Sequence, residues 1–281
     1  MKYYELNNAV LMPSIGIGTF LLTPEEAEKS VSEALKDGYR LIDTANAYVN
    51  ERACGRAIKN SGLVRNDIFV STKIWPSEYN NPNAVDETLE RLGLDYIDLL
   101  FLHQPAGDWK AGYRLLEKAY KENKIRAIGI SNFEDQIEEL LNWCEITPQV
   151  IQVECHPFFP QDKLRQITDK KCMRIMSWYP LGGKGHTAEL LENKVIVSLA
   201  NKYHKSPAQI VLKWHSEMGF ITIPGSKNPD HIKDNIDIFD FNFNKADKDA
   251  LASLNSGLRY HHSSDEKLAA YAAYKIQYEQ K

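Results

Sequence analysis

The chain has 281 residues, of which 43% are hydrophobic, and its formal net charge at pH 7 is −4. This length and apolar content suit one barrel of alternating strands and helices, which takes about 250 residues. The small negative charge excludes a broad basic surface, so we expect neither nucleic acid nor an anionic membrane as a partner.

Two further features concern the compartment in which the protein works. The first ten residues, MKYYELNNAV, lack the apolar core of a secretory signal, and no apolar run is long enough to span a bilayer. The 4 cysteines are scattered without a C-x-x-C pair, a spacing typical of reduced thiols and not of disulfides or a zinc site. We therefore expect a cytoplasmic protein without a bound metal.

In chain order, the first pattern predicts a β-hairpin over residues 3–12, with its turn at Asn7 and Asn8. We expect this hairpin to cover the bottom of the structure that follows. Strand and helix patterns then alternate. The predicted strands span residues 14–20, 40–43, 68–73, 96–103, 125–130, 150–154, 174–178 and 220–224. The predicted helices span residues 24–37, 51–60, 83–91, 112–122, 134–143, 161–170, 189–203, 207–217 and 247–254, with a short helix after Pro229.

This alternation determines how the strands pair. Each crossover returns the chain to the same edge, so the strands must be parallel. Eight of them predict an α/β fold, a (β/α)8 TIM barrel, with two extra helices, one before the eighth strand and one at residues 247–254. No composition break or low-complexity linker divides the chain, which predicts one domain over residues 1–281.

Chemically useful side chains follow three of the predicted strands. Asp43, Lys73 and His103 stand at the carboxyl ends of the second, third and fourth strands, and Tyr48 follows Asp43 closely. The active sites of such barrels lie at the carboxyl ends of the strands. We therefore expect these four side chains to make one site.

These four residue types suit proton transfer to a carbonyl oxygen. A free phenol has a pKa of about 10, too high for efficient acid catalysis at neutral pH. The Lys73 ammonium is expected to lower the pKa of Tyr48, and Asp43 to keep that lysine charged and aimed. Tyr48 would then protonate a developing alkoxide, while His103 donates a hydrogen bond to the same oxygen. The hydride must come from a cofactor, because no side chain can provide one.

Two glycine-containing loops predict where a phosphorylated ligand binds. Residues 181–185 (LGGKG) follow the seventh predicted strand, and residues 225–229 (GSKNP) follow the eighth, at the start of a helix. Barrels often hold phosphates with these two loops, and backbone N–H groups at a helix N-terminus suit an anion. Either loop alone is equally consistent with a plain turn, but their joint position favours the ligand.

Several longer segments together resemble one known family. LIDTANAY with NERACGRAI, STKIW, LGLDYIDLLFLH, AIGISNF, QVECHP and IPGSKNPDHIKDN are similar to segments of the aldo-keto reductases, over essentially the whole chain. The resemblance implies that Asp43, Tyr48, Lys73 and His103 are a catalytic tetrad. It also implies a monomer that reduces aldehydes and ketones with NADPH, bound without a Rossmann fold. The cofactor contacts predicted on this basis are Gly18, Thr19, Ser131, Asn132, Gln152, Trp178, Leu181, Gly182, Gly225, Ser226, Lys227, His231, Asp234 and Asn235.

Some positions depart from the pattern that the resemblance implies. Trp178 replaces a tyrosine that stacks on the nicotinamide, and an indole should stack at least as well. Gly225 stands in place of a lysine for the 2′-phosphate of NADPH, and His231 in place of an arginine, whereas Lys227 can restore a cation. We therefore predict NADPH with a weakened preference, and NADH as the alternative cofactor. Gln104 replaces a tryptophan, which removes an apolar wall of the substrate pocket.

The substrate is expected to be small. The loop after the fourth strand and the tail after Leu258 are short, which predicts a shallow, open pocket lined by Phe20, Trp75 and Trp109. For Trp109, packing at the barrel rim is an equally good interpretation. Small aldehydes, α-dicarbonyls and keto sugars fit such a pocket best.

The polar tail predicts little chemistry of its own. His261 and His262 are expected to be solvated. Tyr271, Tyr274 and Tyr278 recur at helical spacing, which favours a terminal helix packed on the barrel.

Two other functions are compatible with the same residues. A lyase would use Lys73 as a Schiff-base nucleophile, although the carboxylate of Asp43 keeps that lysine charged. A non-catalytic barrel could bind NADP as a redox-sensing subunit, although an intact set of four site residues argues against it.

Overall fold

The chain begins with a two-stranded antiparallel hairpin in the computed structural model, which describes residues 1–278. Its strands are β1 (Tyr3–Glu5) and β2 (Leu11–Pro13). The side chain of Asn7, in the turn, donates a hydrogen bond to the carbonyl of Pro148, just before a barrel strand begins (3.1 Å). The hairpin therefore covers the amino-terminal end of the barrel, as predicted.

Eight parallel strands follow, paired in chain order. The first closes on the last through a parallel bridge between Ile15 and Thr222, in which the Gly16 N–H donates to the Thr222 carbonyl (2.8 Å). The predicted (β/α)8 barrel is thereby confirmed. The strands are β3 (Ile17–Gly18), β4 (Leu41–Asp43), β5 (Phe69–Ile74), β6 (Leu99–Leu102), β7 (Ile128–Ser131), β8 (Val150–Glu154), β9 (Arg174–Trp178) and β10 (Ile221–Thr222).

Most residues of the strands are apolar because both faces of each strand are covered, as β6 shows. In β6, Leu99 and Phe101 point into the barrel, whereas Leu100 and Leu102 pack against the surrounding helices. Gly129 on the neighbouring β7 leaves room for the Phe101 ring, which a Cβ atom at that position would strike. Successive side chains thus alternate between two cores, which is why this strand is a continuous hydrophobic run.

Twelve helices surround the strands within residues 1–278. They are α1 (Pro24–Lys36), α2 (Glu51–Asn60), α3 (Ala84–Leu92), α4 (Trp109–Lys121), α5 (Ile137–Trp143), α6 (Asp162–Lys170), α7 (Thr187–Leu191), α8 (Lys194–Tyr203), α9 (Pro207–Met218), α10 (Pro229–Ile236), α11 (Lys245–Ala252) and α12 (Asp265–Ala273). Short 3-10 turns add Asn46–Tyr48, Arg65–Asp67 and Pro76–Glu78. None of these helices is both long and apolar enough to cross a membrane.

Capping side chains explain where several helices begin. Thr23 and Glu26 form a capping box at the start of α1, and Ser206 and Gln209 form another at the start of α9. The single helix predicted over residues 189–203 is two helices, α7 and α8. The chain breaks there because the Asn193 side chain accepts a hydrogen bond from the Val195 N–H (2.9 Å) and caps a new helix.

Candidate active site

A buried ion pair lies at the carboxyl end of the barrel. Asp43 is the last residue of β4, and Lys73 lies on the neighbouring β5, so that their side chains meet. The Lys73 ammonium donates to Asp43 Oδ2 (2.6 Å) and to the Thr44 carbonyl (2.8 Å), and its side chain is 0% exposed. The other Asp43 oxygen accepts from Ser71 Oγ (2.7 Å). Each charge is therefore held by fixed partners, as a buried pair requires.

Tyr48 and His103 stand in front of this pair. Tyr48 ends the 3-10 turn Asn46–Tyr48, and Lys73 Nζ lies 5.1 Å from the centroid of its ring. The rings of Tyr48 and His103 meet edge to face with their centroids 5.6 Å apart. The backbone N–H of His103 extends the sheet by donating to the Ile74 carbonyl (3.0 Å). The four predicted side chains therefore form one cluster.

The protonation of this cluster differs from the sequence-based expectation. Burial raises the pKa of Tyr48 well above its usual value, and the negative charge of Asp43 raises it further. The net shift is therefore opposite to the predicted one. The physical reason is burial, which disfavours the phenolate, and the charge of Asp43 adds to that effect despite the nearby Lys73 ammonium. Burial and the Lys73 charge lower the pKa of His103 well below its usual value, so the imidazole is neutral at pH 7.

Tyr48 and His103 open onto a cavity of about 990 Å³. Aromatic and amide contacts encircle it: Phe20 lies against Tyr48 (5.0 Å between ring centroids), and Phe20 also approaches Tyr179 (6.0 Å). On the opposite wall, the Trp178 indole N–H donates to the Asn132 side-chain oxygen (2.9 Å). Aromatic rings and side-chain amides thus line this part of the cavity.

Polar atoms with spare hydrogen-bonding capacity line the wall near Tyr48. Gln152 donates its amide to Asp43 Oδ1 (3.2 Å), which leaves its carbonyl oxygen without a partner within residues 1–278. The hydroxyl of Ser131, whose residue also lines the cavity, has no partner in that same part of the chain. These groups, together with Asn132, suit a planar amide group that both donates and accepts.

The far end of the cavity is formed by the loop after β10 and the start of α10. Among the predicted cofactor contacts there, Gly225, Ser226, His231, Asp234 and Asn235 line the cavity. Lys227 does not: its side chain is 70% exposed and its amine pairs with Glu26 (3.0 Å). The cation that the sequence assigns to a phosphate thus already has an acidic partner.

Three other predicted residues also lie outside the lining. The Thr19 hydroxyl is buried and donates to the Asp43 carbonyl (3.2 Å). Gly182 shapes a turn with φ +90°, where a Cβ atom would approach the His186 carbonyl oxygen at 2.9 Å. Trp109 opens α4 and packs edge-on against Phe133 (5.7 Å between centroids), in the helix layer. Gly18, Leu181, Phe20 and Trp75 line the cavity as expected.

The C-terminal tail contributes residues that the sequence does not indicate. His261 lies in the cavity wall against Trp178 (5.3 Å between centroids) instead of being solvated. Its backbone N–H is held by the buried carboxylate of Glu154 (2.9 Å). Helix α12 packs on Trp75, whose indole N–H donates to the Tyr271 carbonyl (3.0 Å). The tyrosine spacing predicts this packing, but no local pattern links His261 to Glu154.

A closed (β/α)8 barrel with acid–base side chains at the carboxyl end of its strands has the architecture of a barrel enzyme. Comparison with known proteins identifies the family. A model of the aldo/keto reductase family matches residues 14–256. The chain therefore belongs to the aldo/keto reductases and is an oxidoreductase.

Individual relatives agree with this assignment. Glyoxal reductase of Bacillus subtilis (strain 168) is 42% identical over 270 residues, which cover 94% of this chain and 96% of the relative. Methylglyoxal reductase DkgA of Escherichia coli (strain K12) is 36% identical over 262 residues, covering 91% and 94%. A solved aldo-keto reductase from a Medee basin deep-sea metagenome library is 37% identical, with a TM-score of 0.90 over 93% of this chain and 98% of its own.

Proposed function

We propose that this protein is an NADPH-dependent reductase that converts small aldehydes, ketones, α-dicarbonyls or keto sugars to alcohols. The observation that carries the proposal is the position of Tyr48 and His103 on the cavity wall, in front of the buried Lys73–Asp43 pair. A phenol and an imidazole that face one cavity can both donate to a single carbonyl oxygen.

Tyr48 is the general acid in this proposal. Its raised pKa keeps the phenol protonated at neutral pH, so that the proton is in place when a carbonyl compound enters. The phenol becomes a weaker acid, but the alkoxide that forms during hydride transfer is a stronger base than a phenolate and can still take the proton. His103, neutral because its pKa is lowered, donates a hydrogen bond from its one N–H. Lys73 remains close to the Tyr48 ring and stabilises the phenolate that is left after proton transfer, while Asp43 positions the lysine.

The chain fits a nicotinamide cofactor in two respects. The unpaired side-chain oxygens of Ser131 and Gln152, together with the second N–H of the Asn132 amide, suit the carboxamide. The half-buried indole of Trp178 offers a face for stacking. The cavity continues to Ser226, His231 and Asn235, which suit the nucleotide end. NADPH, when bound, would supply the hydride, and NADH is the alternative cofactor.

The names of the relatives support the substrate class. Two of them are a glyoxal reductase and a methylglyoxal reductase, and both names denote small α-dicarbonyl compounds. Phe20 and Trp75 line the cavity beside Tyr48 and His103 and would contact such a substrate. The Trp75 ring is edge-on to His103 (4.9 Å between centroids), which restricts the room for a bulky group.

The structure weighs against the Schiff-base lyase. The Lys73 amine is fully enclosed and bonded to Asp43 and Thr44, so a substrate carbonyl has no route to it. A measurement of turnover distinguishes the redox-sensing alternative from the reductase, because only a reductase converts substrate.

The first test is binding followed by turnover. Tryptophan fluorescence is titrated with NADPH and with NADH, and aldehydes are then assayed by loss of the reduced cofactor's absorbance. We expect quenching, tighter binding of NADPH, and reduction of methylglyoxal and simple aldehydes. Binding without turnover over a broad aldehyde panel would favour the non-catalytic barrel, and no binding of either cofactor would refute both.

A further inference from the structure

The two side chains that depart most from the family pattern around the reacting centre, Gln104 and Trp178, are joined in this structure. The Trp178 indole N–H donates to Asn132 Oδ1 (2.9 Å), and Asn132 Nδ2 donates to Gln104 Oε1 (3.2 Å). All three residues line the cavity. In the sequence Gln104 and Trp178 are separate departures, at the ends of different strands, whereas in the fold Asn132 joins them into one hydrogen-bonded chain.

The direction of this chain is fixed by chemistry. An indole N–H can only donate, so the oxygen of the Asn132 amide must face Trp178 and its NH₂ group must face Gln104. Gln104 must then turn its own oxygen towards Asn132. Both orientations follow from the donor at one end of the chain, since no other arrangement pairs all three groups.

One hydrogen-bond donor of this chain, the NH₂ group of Gln104, remains without a partner within residues 1–278, whereas the oxygen of the same amide is committed to Asn132. That nitrogen is not enclosed by protein atoms either, although the residue as a whole is only 8% exposed, so it faces the cavity. The backbone of Gln104 is held on both sides by the Tyr79 hydroxyl, which accepts from its N–H (3.1 Å) and donates to its carbonyl (2.7 Å).

We propose that Gln104 is a specificity-determining residue that selects carbonyl substrates with an acceptor oxygen on the adjacent carbon, such as 2-oxoaldehydes. Gln104 lines the same cavity as Tyr48 and His103, so its NH₂ group can reach a substrate whose carbonyl lies between those two side chains. This inference rests on the proposed reductase function and narrows its substrate class. A site with an unpaired donor favours a ligand that satisfies it over an analogue that cannot.

The test compares two substrates of equal carbon chain length, methylglyoxal and propanal, in the full-length enzyme. Gln104→Met removes the donor at similar volume. We expect the ratio of kcat/KM for methylglyoxal to that for propanal to fall about tenfold, because propanal has no second oxygen for the donor. Any loss that acts through Asn132 affects both substrates and cancels from the ratio. Hydration of the aldehydes in water affects wild type and variant equally, so it cancels from this comparison.

Two further variants serve as a second test and as a control. Gln104→Glu keeps an oxygen for Asn132 but has no donor at pH 7, and it should show the same fall in the ratio if Gln104→Met does not fold. Gln166→Met makes the same chemical change on the exposed surface of α6 and should leave the ratio at the wild-type value.

A double variant tests whether Trp178 acts on substrate choice through Gln104. Trp178→Phe removes the indole N–H that orients Asn132, so the ratio should fall, by less than in Gln104→Met. Adding Trp178→Phe to Gln104→Met should lower the ratio no further. An unchanged ratio in Gln104→Met would overturn the inference while leaving the reductase proposal intact. A wild-type enzyme that reduces neither substrate would refute the reductase proposal itself.

Discussion

The two ends of the cavity are built in opposite ways. At the reacting end, Lys73 is 0% exposed and each charge of the Lys73–Asp43 pair has fixed partners. Near the end proposed for the nucleotide, but outside the cavity lining, Lys227 is 70% exposed and pairs with Glu26 on α1. In the proposed function, the barrel therefore holds the reacting groups by buried contacts, and the choice of cofactor depends on exposed side chains.

This difference separates the expected effects of mutation. A change at the reacting end alters both catalysis and folding, because it disturbs groups enclosed by the barrel. A change at the nucleotide end alters cofactor preference alone, because exposed ion pairs contribute little to stability.

The largest effect is expected for Tyr48→Phe. It removes the proposed proton donor but keeps the ring that packs on Phe20, so kcat should fall by about 10²–10⁴-fold. The dissociation constant of NADPH, measured by fluorescence, should stay within a factor of about two, because the hydroxyl contributes to the acid function and not to packing. A variant that retained most of the wild-type kcat would show that another group is the acid.

The Asp43→Ala variant tests how much the buried Lys73–Asp43 pair contributes to the stability of the fold. It leaves the buried Lys73 ammonium without its carboxylate, so the free energy of unfolding should fall by about 3–5 kcal/mol in a denaturant titration. The double variant Asp43→Leu with Lys73→Met removes both charges and should recover much of that loss. If the single variant is as stable as wild type, the ion pair does not hold this end together.

The pH dependence of reduction sharpens the assignment further. A raised pKa keeps Tyr48 protonated until the pH rises well past 10, and a lowered pKa keeps His103 neutral until the pH falls well below 6.5. We therefore expect kcat to be flat between about pH 6.5 and pH 9. A titration step near the ordinary pKa of histidine would contradict this.

We expect any fall in kcat at alkaline pH to follow the loss of the proton from Lys73. Burial lowers the pKa of Lys73, and the charge of Asp43 opposes that effect. Asp43→Asn removes the opposing charge, so the decline in kcat should begin at lower pH than in wild type. A decline that did not move would show that a different group titrates.

The smallest effect is expected at the nucleotide end. Lys227→Ala should weaken NADPH binding by about two- to fivefold and leave NADH binding unchanged, as befits an exposed charge. Glu26→Gln frees the lysine from its partner and should strengthen NADPH binding by a similar factor. Equal changes for both cofactors would remove Lys227 from the 2′-phosphate site.

The residues of the reacting end could be predicted because short segments of the sequence identify them. Asp43, Lys73 and His103 each stand at the end of an apolar strand, and parallel strands bring those ends together. The sign of the pKa shift of Tyr48 could not be read in the same way. It depends on burial and on how closely Asp43 approaches the phenol, and neither quantity is encoded in spacing.

Contacts between residues that are distant in the chain could not be predicted from the sequence. Lys227 pairs with Glu26, and His261 is held by Glu154. No periodicity or motif connects residues so far apart in the chain. Trp109 illustrates a different difficulty, since an aromatic residue at a helix start can face either the cavity or the helix layer, and packing on Phe133 decides between them.

The closure between Ile15 and Thr222 has a consequence for biosynthesis. One edge of the first barrel strand has no partner until residues roughly 200 positions later leave the ribosome, which at ~5–20 residues per second takes about 10–40 s. During that interval, a nascent chain exposes an apolar edge that other strands can join. The barrel is thus completed late in translation, and its yield in cells should depend on protection of that edge while synthesis continues.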